Sequence, residues 1–344
     1  MTILALAMSP QPDIGMGAVR KFVLFTIGLL AANLVTTPSR ARVSLQILIL
    51  VATATSLVAL VQFGAAYIRF LSTNDLADDP TVLARTTGLM GHWMTFSGEQ
   101  LLVWCAAIPA MLILGRRWLI PVGLIGAALV FSFTRSAWLG AFGAFIVVAF
   151  LLPRKILIAC ALPVAIVAVA SSGLIYHRLS LSFQEQRFAP DSGRFELLIG
   201  GMGMIADHPL FGVGPERIQT EFPRYYRGAD LAHANFYYGH LENNIVQLAA
   251  ERGLLCLAAF LWFIFELYAG LIERLKTAGP DTRWIVLSAL SAFTGFIISG
   301  FFSYNFGDSE VLLLLLFIVS IPYGVTKTAP VVDPCPTNLV PIQS

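Results

Sequence analysis

The chain has 344 residues, 57% of them hydrophobic and 12% charged, with a formal net charge of +2 and a mean hydropathy of +0.77. Soluble domains carry about 25% charged residues, so the composition excludes an ordinary soluble protein, and a near-neutral chain without a basic tract offers no field for nucleic acid. The four cysteines, Cys105, Cys160, Cys256 and Cys335, have neither metal-ligand spacing nor the pattern of a disulfide framework.

In chain order, Met1 to Met8 is apolar but lacks the basic flank of a secretory signal. Runs near the roughly 20 residues that cross a bilayer as a helix then fall at about 22–36, 45–68, 98–114, 118–133, 136–152, 156–175, 244–270, 284–302 and 310–325. They are continuous and rich in Leu and Ala rather than alternating, which favours helices over a barrel wall. The expected fold is an all-α polytopic transmembrane bundle of about nine spans. It divides into a membrane unit over 1–175, a large polar loop over 176–243, a second membrane unit over 244–325 and a disordered tail over 326–344.

Alternate connections collect Arg40 and Arg42, Arg116 and Arg117, Arg154 and Lys155, then Arg274, Lys276 and Arg283, and finally Lys327. The positive-inside rule makes that side cytoplasmic. The long loop then lies on the opposite side, which in a bacterial inner membrane would be the periplasm, as do the 72–97 and 303–309 connections and the turn Thr134-Arg135-Ser136. By the same parity Arg20 and Lys21 fall outside. Either they are an exception to a statistical rule or, as expected here, the chain is a short form lacking upstream spans.

The loop holds four of the five histidines (His177, His208, His233, His240), six arginines and no lysine. Phe195, Leu198, Ile199, Met202 and Ile205 recur at helical spacing. They predict an amphipathic helix from near Arg194, capped by Asp191 or Ser192, stopped at Asp207-His208-Pro209, and lying on the membrane surface or against the bundle. Gly212-Val213-Gly214-Pro215 turns the chain, with Pro215 suited to open another short helix. Phe222, Tyr225, Tyr226, Phe236, Tyr237 and Tyr238 suit an interfacial belt or packing, and equally the faces of sugar rings. The acidic group Asp75, Asp78 and Asp79 lacks the spacing of a metal site and reads as a solvated loop, and Gly212-x-Gly214 is too short for a nucleotide-binding motif.

In their order these pieces resemble the O-antigen ligase and polymerase superfamily. Those that carry the resemblance are Ser192-Gly193-Arg194 before the amphipathic helix, Asp207-His208-Pro209-Leu210-Phe211-Gly212-Val213-Gly214, and Glu251-Arg252-Gly253-Leu254-Leu255. Upstream, Arg85-Thr86-Thr87-Gly88-Leu89 and Thr134-Arg135-Ser136-Ala137 agree with it. The resemblance implies a glycosyltransferase, independent of metal or other cofactor, acting at the periplasmic face on glycans carried by undecaprenyl diphosphate. Ligases attach them to the lipid A core and polymerases extend the lipid-linked chain. The implied partners are that donor, a glycolipid or glycan acceptor, and membrane lipids. Where the family has a His-Asn pair before the glycine matching Gly253, this chain has Glu242-Asn243, with His240 two residues earlier.

A hydroxyl attacking an anomeric carbon needs a base, and a departing diphosphate needs cations. Arginine suits the second task because its planar fork stays charged and binds phosphate oxygens in pairs. Arg135 is the first candidate, since a charge in so short a turn between spans is expensive unless it faces a polar cavity; otherwise it reaches lipid headgroups. Arg194 matches the family's loop arginine, or pairs with Glu196 or Asp191, and Arg85 precedes a span on the same side. Arg217, Arg224 and Arg227 are candidate secondary contacts. His240 and Glu242 compete as the base, because residues two apart on a helix face different ways and only an irregular segment would aim both at substrate. Otherwise His240 bonds to backbone and Glu242 complements the helix dipole. Ligase-like transfer leads, with a polymerase, or a non-enzymatic transporter or flippase of lipid-linked sugars, as the alternatives.

Overall fold

A computed structural model describes residues 1–73, 75–184, 193–226 and 238–326. Among them every regular element is helical, as expected where lipid leaves each backbone group to find its partner within its own segment. Two short helices, α1 (Thr2–Ala7) and α2 (Met16–Arg20), precede α3 (Phe25–Leu34), α4 (Pro38–Thr73), α5 (Trp93–Leu114), α6 (Leu119–Phe131), α7 (Arg135–Ala149) and α8 (Arg154–Ala170). The loop region contributes α9 (Ser172–Gln184), α10 (Arg194–Asp207) and α11 (Ile218–Tyr225). Three long elements follow: α12 (Asn244–Thr277), α13 (Pro280–Gly300) and α14 (Ser309–Val325).

Each of the nine expected stretches holds a helix, and they differ in length. Among the described residues five segments are long and apolar enough to cross a membrane, namely residues 16–34, α4, α5, α12 and α13. A sixth forms if α8 and residues 172–180 of α9, bent by 66°, count as one. The helices α6 and α7 have 13 and 15 residues, below the roughly 17–25 of a span, and α14 with 17 stands at its lower end. The bend between α8 and α9 has a local cause. Ser171 Oγ donates to Val167 O at 2.7 Å, competing for a helix carbonyl, and Ser172-Gly173 follow at once.

The helices α5 and α13 are the buried centre, with α13 packed along both α5 and α7. Small residues set that spacing: a Cβ on Gly140 of α7 would meet the Gly295 carbonyl on α13 and the Leu101 side chain of α5. Such close approach supplies the packing that lipid, itself apolar, does not drive. The long helices α4 and α12 turn exposed apolar residues such as Leu50, Val61, Ile68, Trp262 and Phe265 outward, as lipid-facing surfaces would.

The break in α12 joins the loop to the membrane bundle. Gly253 interrupts the helix with φ +81° and ψ 169°, freeing carbonyls on the preceding turn. Residues 209–214 supply the partners: Val213 N donates to Ala250 O at 2.9 Å, Gly214 N to Glu251 O at 3.0 Å, and Leu254 N to Pro209 O at 2.8 Å. A Cβ at Gly253 would strike the Leu210 carbonyl, so both torsion and space demand glycine there. The motifs at 207–214 and 251–255 are two halves of one joint.

Around this joint several expectations need correction. The amphipathic helix begins at Arg194 and ends at Asp207 as expected; it turns Leu197, Gly200, Gly201 and Met204 inward and leaves Phe195, Leu198 and Met202 exposed. The two glycines let that face pack closely, since Phe222 and Leu241 occupy the space their side chains would fill. Pro215 opens no helix; α11 starts at Ile218 behind Arg217. Asp79 is not solvated but fully buried, with one oxygen 2.9 Å from His177 Nε2 and the other accepting from Thr81 N and Oγ1. Phe222 is a core residue stacked on Tyr238 at 5.5 Å between ring centroids. Asp191, Ser192, His233, Phe236, Tyr237, Cys335 and Lys327 lie outside the described residues.

Candidate active site

Four separate connections deliver the charged residues. Between α4 and α5, Gln62 Oε1 accepts from Thr87 N at 3.1 Å and from Gly88 N at 2.9 Å, while its Nε2 donates to Gly88 O. That clamp fixes the segment after Arg85. The Arg85 Nε donates to Val82 O at 2.8 Å, and its guanidinium lies 4.7 Å from the Trp93 ring centroid, a stacking arrangement that arginine favours. His92 opens α5, its Nδ1 accepting from Met94 N at 3.2 Å.

Arg135 is the first residue of α7, after a three-residue connection in which Phe133 is held at φ +49° and Thr134 is extended. The positive φ turns the chain sharply and aims the first residue of α7 at the cavity. Arg194 likewise starts α10. Arg178 arrives on α9, which the bend at Ser171 swings across the bundle, and it is only 1% exposed.

The last connection carries His240 and Glu242 ahead of α12. Asn243 caps that helix, its Oδ1 accepting from Ile245 N at 2.8 Å and Val246 N at 3.0 Å, a favourable arrangement at a helix start. The residues before the cap are therefore irregular, and Glu242 takes φ +52°, an uncommon conformation for a residue with a side chain. The twist brings the two side chains together, with His240 Nδ1 3.4 Å from Glu242 Oε1. The competition foreseen for a regular helix does not arise. Burial pushes the His240 imidazole down to about 4, so the ring is neutral at pH 7 and one nitrogen can accept a proton. Burial and then Arg85 lower His92 as well.

A cavity of about 570 Å³ is lined by Arg85, His92, Arg135, Arg178, Arg194, His240 and Glu242, with Trp93, Phe133 and Leu197 as its apolar walls. All five residues put forward first from the sequence, Arg85, Arg135, Arg194, His240 and Glu242, meet there. A second cavity of about 310 Å³ adjoins it, sharing His92, Met94, Thr134, Ser136 and His240 and adding Lys21, Glu216, Gln219, Glu251, Tyr304 and Asp308.

Residues 120–261 match the O-antigen ligase family. The match supports the O-antigen ligase and polymerase superfamily, and no curated protein matches the chain. The matched segment carries Arg135, Arg178, Arg194, His240 and Glu242; Arg85 and His92 come to the same cavity from outside it.

Sequence reasoning overlooked two residues of this cavity. Arg178 was counted among the loop's arginines, but the end of a span gave it no role. His92 is the one histidine outside the loop, and its sharing a connection with Arg85 was the available signal. Two candidates stand elsewhere: Arg217 is buried, donating to Val213 O at 2.9 Å and to Glu221 Oε1 at 2.5 Å, while exposed Arg224 holds Glu221 Oε2 at 2.7 Å. They neutralise a buried carboxylate and line neither cavity. Arg227 lies outside the described residues. Among the described residues no three His, Cys, Asp or Glu side chains are grouped as metal ligands.

Proposed function

We propose that this protein transfers a glycan from undecaprenyl diphosphate to an acceptor hydroxyl, in the manner of a ligase, without a metal and at the periplasmic face of a bacterial inner membrane. The observation that carries the reading is a single cavity in which Arg85, Arg135, Arg178 and Arg194 stand around a His240–Glu242 pair. Guanidinium groups hold the diphosphate oxygens and stabilise the charge that grows as the bond breaks. With Nδ1 turned toward Glu242, His240 Nε2 is the acceptor for the hydroxyl proton. The carboxylate orients the ring and offsets its positive charge after transfer, as in other acid–histidine pairs.

In this reading the acceptor oxygen bonds to the anomeric carbon while the carbon–oxygen bond to phosphate breaks. The electron pair leaves with undecaprenyl diphosphate, and the hydroxyl proton passes to His240 and then to solvent. The exposed apolar stripe of Phe195, Leu198 and Met202 on α10 suits a helix lying in the membrane interface, where a polyprenyl carrier would arrive.

Deletion in the native host followed by glycolipid analysis tests the reading. Full-length chains left on the carrier are expected. Single repeat units on the carrier would indicate a polymerase, and units trapped on the cytoplasmic side a flippase. Normal surface glycan after alanine substitution at Arg135, Arg194, His240 and Glu242 would refute an enzymatic role.

A further inference from the structure

The two cavities share a wall but differ in charge. Four arginines face one carboxylate in the larger, whereas Glu216, Glu251 and Asp308 face Lys21 in the smaller. Lys21 is itself turned to the backbone, its Nζ donating to Gly307 O at 2.7 Å. Glu251 is 2% exposed; its Oε1 accepts from Glu216 N at 2.6 Å, while its Oε2 has no hydrogen-bond partner among the described residues and lies 3.4 Å from Arg252 Nε. An acceptor left without a donor in a buried site is costly unless a ligand supplies one. His240 belongs to both walls, so a hydroxyl in the smaller cavity would meet the same base that the arginine cavity presents.

We propose that the smaller cavity is the acceptor site and that it takes an uncharged polyhydroxyl acceptor while rejecting a phosphorylated one. The inference rests on the transferase reading above. Hydroxyl groups donate to carboxylates, and the side chains of Gln219 and Gln247 on the same wall offer amides in return. A phosphate ester can only accept at most of its oxygens and would set a second negative group against three carboxylates in a site partly shielded from solvent. The same separation of charge keeps the donor diphosphate out of the acceptor side.

The test uses purified full-length protein in nanodiscs at low ionic strength, where screening is weak. Undecaprenyl diphosphate is bound first, to occupy the arginine cavity. Maltotriose and maltotriose carrying one phosphate ester are then compared by saturation-transfer NMR titration. The neutral sugar should bind at least about tenfold more tightly. That gap should shrink to within about threefold in Glu216→Gln and in Asp308→Asn, the latter retaining a residue able to cap α14. Equal or tighter binding of the phosphate ester, a gap that persists in both variants, or no binding of either sugar overturns the acceptor inference alone. Failure of undecaprenyl diphosphate to bind takes down the transferase reading and this inference with it.

Discussion

Replacing Gly253 by alanine should unfasten the loop from the membrane bundle. The torsions of Gly253, φ +81° and ψ 169°, belong to a region that only glycine occupies readily, and holding another residue there costs about 1–3 kcal/mol. The added methyl would also overlap the Leu210 carbonyl and the Phe211 amide, backbone atoms that no rotamer change can move. Relief requires residues 209–214 to lift away, losing the three hydrogen bonds at Val213, Gly214 and Leu254, each worth about 0.5–1.5 kcal/mol. The joint should therefore weaken by roughly 3–6 kcal/mol. Hydrogen–deuterium exchange in nanodiscs reads this directly: the amides of Val213, Gly214 and Leu254 should exchange at least about a hundredfold faster, with α5 and α13 unaffected. If Gly253→Ala exchanged like the wild type at those amides and melted at the same temperature, the joint would not depend on this residue and the argument would be wrong.

Arg135→Ala should weaken undecaprenyl diphosphate binding about ten- to hundredfold, the worth of a charge-assisted contact, and Arg135→Lys should recover only part because it lacks the fork. Unchanged affinity in a filter-binding assay would remove Arg135 from the site. His240→Ala should lower kcat by about 10²–10⁴. Because burial holds the imidazole near 4, wild-type activity should persist from pH 7 to about 5 and fall as the ring takes up a proton near 4; an acid limb at about 6.5 would contradict that environment. The same lowering means that the unfolded chain binds the proton first. The stability from a neutral His240 is thus full above about pH 6.5 and declines as pH falls toward 4, which acid-dependent thermal melts would follow. Arg217→Ala leaves Glu221, at 4% exposure, with exposed Arg224 as its remaining cation, and should destabilise the protein by about 1–3 kcal/mol, while folded protein keeps its affinity for the carrier; a large loss of carrier binding would return Arg217 to the site.

The membrane class and the position of each apolar helix were legible because hydrophobic runs are a local signal. So was the motif order that pointed to Arg85, Arg135, Arg194, His240 and Glu242, all of which line one cavity. What was not legible depended on geometry between distant segments. The pairing of His240 with Glu242 needs a positive φ just before a helix cap, and nothing in His-Leu-Glu-Asn announces it. Asp79 looked solvated among neighbouring acids because its partner, His177, lies 98 residues away. The inward face of α10 gave no signal, because Gly200 and Gly201 are buried for their smallness, whereas the exposed Phe195 and Met202 carry the apolar periodicity. Arg217 looked like a free cation in the sequence for a similar reason: its partner is one helical turn away, but the burial that makes the pair structural comes from tertiary packing.

The broken helix α12 also bears on how the chain enters the membrane. An unbroken span can partition into lipid with its hydrogen bonds complete, but α12 would arrive with the Ala250 and Glu251 carbonyls open until residues 213 and 214 reach them. Such groups are costly in hydrocarbon. Residues 209–214 must therefore fold back onto the break before the span behind it is finished, so that docking of this segment and insertion of α12 become a single coupled step of biogenesis.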